Sequence, residues 1–244
     1  KELLKHLILQ LHNNEAPEVV KKRLIEVLSS VPYNDVVEVE QELIAEGLPE
    51  EEVLRLCDIH TAVLDGSIDT SAAKTVPAGH PVDTFKQENK ALTECIKEAK
   101  GLFDKGNKLA DADVKAYLLQ LKSIFNQLSD VDKHYKRKEY LLFPFLEKAG
   151  ITGPPKVMWG KHDETRQYLN AAHETLNAHG EILASEVPSI IMLVLLPAID
   201  AIEGMIMKEE EILLPMSLDT LKDEDWVQIY KETPEFGFCL YDPQ

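Results

Sequence analysis

The chain has 244 residues, 43 acidic against 26 basic side chains, and a formal net charge of −17 with a pI near 4.9. So acidic a composition excludes nucleic acid and an anionic membrane surface as main partners, because both are held through basic patches. Three scattered cysteines, Cys57, Cys95 and Cys239, exclude a disulfide framework and every CxxC zinc site, and point to a reducing, cytoplasmic compartment.

Lys1 runs straight into an amphipathic pattern with no signal peptide. Leu3, Leu4, Leu7, Ile8 and Leu11 mark one helical stripe, and Pro17 opens a second helix carrying Val19, Val20, Leu24, Val27 and Leu28. Asn34 or Asp35 caps a third, with Val36, Val39, Leu43 and Ile44, that stops at Gly47. Pro49 and Glu50 to Glu52 open a fourth whose apolar face is Val53, Leu56, Cys57, His60 and Leu64. Residues 1–65 therefore form a small helical bundle, and Asp65 to Gly79, without apolar periodicity, is a linker.

Four longer helices follow. The first spans Val82 to Lys105 with Phe85, Leu92, Cys95, Ile96, Leu102 and Phe103 inward. The second begins at Asp111 and continues to Lys148. The third follows Pro154-Pro155 and sets His162, Leu169, Leu176 and Leu183 at heptad spacing; the fourth runs from Pro188 to Met216 with a kink at Pro197. The longest apolar run, Ile190 to Ile199, is about half the ~20 residues needed to cross a bilayer. Apart from an ambiguous Val36–Val39, strand signals are absent. The fold class is all-α: a small N-terminal bundle, then an up-down four-helix bundle over residues 80–218. Residues 219–244 form a tail, of which Thr233 to Gln244 has no helical pattern and looks cut off.

Lys138-Glu-Tyr-Leu-Leu-Phe-Pro144 and Glu209-Glu-Glu-Ile-Leu-Leu-Pro215 are a pseudo-repeat, so the second and fourth helices can present side chains symmetrically to a shared centre. His80, His134 and His162 fall on three successive elements and can each be placed on an inward stripe. Glu209, one turn after Met205, can join them. Three imidazoles and a carboxylate suit a borderline divalent metal such as iron, manganese or zinc. Each histidine also has an ordinary reading as a hydrogen-bonded core residue, and Glu209 as the start of a solvated acidic face.

His134-Tyr-Lys-Arg-Lys-Glu-Tyr-Leu-Leu-Phe-Pro, with His80 upstream, His162-Asp163 downstream and the Lys-Glu-Glu-Glu-Ile-Leu-Leu-Pro run, resembles the hemerythrin-like HHE cation-binding family. Residues 1–65, with LIAEGLPEEEVLRLCDIH, resemble a domain of unknown function (DUF438) often found ahead of such a bundle, an architecture in which a PAS sensory domain often follows. The resemblance implies a di-iron centre bound by histidines and bridging carboxylates. Carried over by position, His80, His134, His162 and Glu209 match. Two positions do not: Lys138 stands where a glutamate is expected, and Met205 where a histidine is. Glu139 lies one residue too far along, about 100° around an ideal helix.

These departures leave too few ligands for two bridged metals. What remains is a mononuclear or partial site at His80, His134 and His162, with Glu209, or a metal-free core in which Lys138 and Glu209 pair. The expected function is a metal-binding sensory or regulatory module for oxygen or another diatomic ligand, redox state or iron, with an added protein partner or sensory domain. The alternatives are a metal-free interaction module and, with less support, an enzyme of iron or nitric-oxide repair. No Ser/His/Asp grouping or glycine-rich phosphate loop adds an independent catalytic signal.

Overall fold

The computed structural model describes residues 2–13, 17–28, 39, 42–49, 75–178 and 182–243, and among them every regular element is helical. The third and fourth N-terminal helices, His60 and most of the linker fall largely or wholly outside the described residues. By proximity the chain divides into two compact units. One comprises residues 1–74, 145–161 and 207–221; the other comprises residues 75–144, 162–206 and 222–244.

In the first unit, α1 (Glu2–His12) packs on α2 (Pro17–Leu28). Leu4, Leu7, Ile8, Val20, Leu24 and Leu43 form its core, each buried leucine or isoleucine contributing roughly 1.5–3 kcal/mol. Leu3 and Val19, assigned to those stripes by spacing, are exposed instead.

Further along the chain, α3 spans Pro81–Gly106. After a 3-10 turn at Asp111–Asp113 come α4 (Val114–Leu128) and α5 (Val131–Arg137). The rod then passes through a π-helical turn, Lys138–Leu142, into α6 (Phe143–Lys148). α7 spans Gly153–Leu176. The last rod joins α8 (Val187–Ile190), a π-turn at Ile191–Leu195, α9 (Leu196–Lys208), a π-turn at Glu209–Leu213 and α10 (Leu214–Thr220). Four long rods with short connections are the succession expected of an up-down bundle.

Each π-turn closes two residues before a proline: Pro144, Pro197 and Pro215. A proline ring clashes with the carbonyl four residues back and offers no N–H. Widening the turn avoids that conflict, and the N–H of Phe143, Leu196 and Leu214 each donates to the carbonyl five residues back. The kink expected at Pro197 is thus a π-turn, and the rod Val187–Thr220 continues through it. That rod is long and apolar enough, by length and composition, to cross a membrane. Leu195, Ala198, Ile199 and Ile202 on it are fully buried, whereas Met192 and Leu193 are exposed.

One expectation fails here. Leu183 does not continue the heptad of α7, because the helix ends at Leu176 and Leu183 is exposed. The tail also contains a further helix, α11 (Asp223–Glu232), with three acidic residues in its first turn and Trp226 and Ile229 buried. The Lys222 N–H caps it by donating to Asp225 at 3.0 Å.

Candidate functional site

A polar core lies inside the second unit. α3 contributes Glu88, one turn after Phe85; α5 contributes His134 and, three residues on, Arg137. The π-turn adds Lys138 and Glu139, and α7 adds His162 and Arg166, four apart. All but Arg166 are at most 3% exposed. Burying so many charges is tolerable only when each is paired, since an isolated buried ion costs several kcal/mol.

Glu88 is the hub. Its Oε2 accepts from His134 Nδ1 at 2.7 Å and from the Arg137 guanidinium. Its Oε1 accepts the backbone N–H of Cys239 at 2.6 Å. Burial pushes the Glu88 carboxyl up, but the donors at His134 and Arg137 outweigh it and hold the group below the usual carboxylate range. The Arg137 guanidinium lies between two rings, 4.9 Å from the centre of Phe85 and 5.2 Å from that of Phe238.

A second carboxylate–imidazole pair stands on Glu139, whose Oε1 faces His162 Nδ1 at 2.8 Å. Arg166 grips the same carboxylate with two N–H groups at 2.9 Å each, and also reaches Asp132 at 2.8 Å and Asp163 at 2.7 Å. Tyr135 stacks on the His162 ring at 3.9 Å, and Phe143 lies parallel to it at 6.0 Å.

This network decides the tautomers. An ionised carboxylate only accepts, so Nδ1 of each imidazole carries the proton and Nε2 carries the lone pair. Both rings are neutral: desolvation, then the neighbouring Lys138 charge, pulls His134 down to about 3 and His162 well below its ordinary range. Nε2 of His162 is buried and has no hydrogen-bond partner. An orphaned buried acceptor of this kind is rare in a packed core.

Lys138 shares the space, with its ammonium 4.8 Å from the Tyr135 ring centre and 6.0 Å from that of Phe85. Desolvation lowers it well below a normal lysine, with Arg137 adding to the effect and Glu88 and Glu139 opposing it.

His134, His162, Lys138 and Glu139 are thus brought together. His80 makes different contacts. It is the half-buried N-cap of α3, its Nδ1 accepting the Val82 N–H at 3.1 Å, and its ring tilts against Trp226 at 4.9 Å. Met205 is buried on α9, and Glu209 is buried in the π-turn of the first unit. Among the described residues, no group of three or more His, Cys, Asp or Glu is placed to hold a metal ion.

Glu139, about 100° around an ideal helix from the expected position, is nevertheless buried. In a π-turn successive residues turn through a smaller angle, so Lys138 and Glu139 both reach the interior. Glu88, Arg137, Arg166 and Cys239 were not foreseen as site residues. One signal was present: a Glu between Phe85 and Leu92 interrupts an otherwise apolar stripe.

Two imidazoles without a free carboxylate fall short of a bridged metal pair. In metal sites a ligating imidazole characteristically gives its other N–H to a carboxylate, as both rings do here. Glu88 and Glu139, however, are fully engaged by Nδ1, Arg137, Arg166 and Cys239, which leaves neither able to bridge two metals.

Residues 80–217 match the family model of the hemerythrin HHE cation binding domain, and residues 4–70 match a family of unknown function (DUF438). No curated protein matches the chain.

Proposed function

Because the chain belongs to the hemerythrin HHE cation-binding family, we propose that it is a soluble, cytoplasmic metal-dependent regulatory module with a reduced, single-metal site. His134 and His162 would hold the metal through Nε2. His80 caps α3 and Glu209 belongs to the first unit, so neither is counted among the ligands here. A bound iron would supply a Lewis-acidic centre that responds to redox state or to a diatomic ligand.

The observation that carries this reading is the buried, unpartnered Nε2 of His162, on a ring whose other nitrogen is fixed by Glu139. The residues around it do the positioning. Glu88 and Glu139 set the tautomers, Tyr135 and Phe143 hold the His162 ring plane, and the apolar walls exclude water. Protein purified without chelator should contain close to one equivalent of a transition metal. Less than ~0.2 equivalents would end the metal reading.

A second reading is a metal-free module in which Lys138 replaces the metal charge. What favours it is that its side chain is completely buried and is drawn on by the carboxylates of Glu88 and Glu139. The double change His134→Ala, His162→Ala separates the two. Loss of bound metal with the fold retained supports a site; a large loss of stability in a protein that never held metal supports a core network.

A further inference from the structure

The segment after α11 is bound to the polar core through one carboxylate. Phe236 stacks on Tyr140 at 5.9 Å with 13° between the rings, and Phe238 covers the Arg137 guanidinium. Between positive-φ residues at Gly237 (+76°) and Leu240 (+52°) the chain bends inward and buries Cys239 completely. Left-handed backbone is unfavourable for leucine, so the bend persists only because the seated segment holds it.

Glu88 divides its two oxygens between two tasks. Oε1 takes the Cys239 N–H, and Oε2 takes His134 and Arg137. Rotation of this carboxylate to suit the imidazole side changes the acceptor offered to the backbone side. The same Arg137 that pairs with Glu88 is the platform for Phe238, so both anchors near Cys239 depend on one buried ion pair.

We propose that Phe236–Leu240 is a latch whose seating reports the state of the Glu88–His134 pair: a change at the imidazole is passed through Glu88 to Cys239 and loosens or tightens this segment. Its regulatory meaning rests on the metal-module reading, whereas the mechanical coupling stands without it.

Cys239 supplies the probe, with buried Cys95 on α3 as internal control. In the full chain carrying Cys57→Ser, alkylation of each thiol by iodoacetamide is followed by peptide mass spectrometry. Glu88→Gln keeps the shape but removes the charge. Loss of a charge-assisted hydrogen bond should raise the Cys239 rate about 10-fold or more while Cys95 stays protected. Unchanged protection of Cys239 in a folded Glu88→Gln protein overturns the latch.

If Glu88→Gln does not fold, Phe238→Ala decides, since it loosens the latch from its outer side. The His134 Nδ1–H resonance should then move and exchange faster with water; an unmoved resonance overturns the proposal. Metal content is measured on the same samples. Metal retained without coupling defeats the latch alone, whereas coupling in a protein that binds no metal defeats the metal reading alone.

Discussion

Acidification should unfold the metal-free protein through two histidines. His134 and His162 are neutral inside the fold, but in the unfolded chain each titrates at its ordinary value of 6.5. Their folded-state values are depressed, so the stability they support is complete above 6.5 and is withdrawn as the pH falls below it. Each costs about 1.4 kcal/mol for every pH unit below 6.5, so the pair removes about 3 kcal/mol by pH 5.5. For His134, whose folded value is about 3, the full loss is about 5 kcal/mol, comparable to the whole stability of many domains. The groups facing the rings are Glu88, Arg137, Lys138, Glu139 and Arg166. Of these, Lys138, also depressed, adds a loss in the same direction as the pH falls below 10.5, and Glu88 adds one only below 4.5. Urea titrations in the presence of chelator at pH 7.5, 6.5 and 5.5 measure the slope, and the imidazole Cε1–H shifts report each ring. The reasoning fails if either ring of the folded protein gains its proton with a midpoint near 6.5.

Arg166→Ala removes the bidentate clamp on Glu139 and should cost roughly 2–3 kcal/mol. Chemical denaturation measures the cost, and broadening of the His162 ring resonances shows that its orientation has been lost. Gly106→Ala places a methyl group 2.5 Å from Ile191 Cδ1 and 2.7 Å from the Tyr117 hydroxyl, which donates to the Leu102 carbonyl. Overpacking there should lower stability by about 1–3 kcal/mol, read as a reduced urea midpoint at unchanged slope. Lys100→Ala breaks an exposed ion pair with Glu203 and should change the melting free energy by less than about 0.5 kcal/mol. A larger effect would mean that the pair is not the surface contact described.

The long helices were legible because their apolar residues recur at helical spacing and their ends carry Pro or Gly. α3 departs by only a residue at each end from the expected Val82–Lys105. His80 was misplaced for a local reason. It directly precedes Pro81, the first helical position, so it caps the helix rather than taking a place on its inward stripe. α11 escaped notice because only Trp226 and Ile229 mark its buried face, too short a stripe to stand out among acidic residues. In the site, His134 and His162 were readable as polar interruptions of apolar rows. Their partners were not, because Glu88 meets His134 across 46 positions and Cys239 across 151. Nothing in local sequence records a pairing at that range.

The π-turns before Pro144, Pro197 and Pro215 amount to phase slips along their rods. A single angular rule cannot be carried across such a slip: a residue judged by counting from one side of it lands on a different face when counted from the other. Winding this segment as a plain α-helical turn with every residue kept would rotate everything downstream by about 100°. Phe143 would then leave the face it shares with His162. The proline is therefore the visible mark of a frame change, and ligand spacings in such chains have to be counted separately on each side of it.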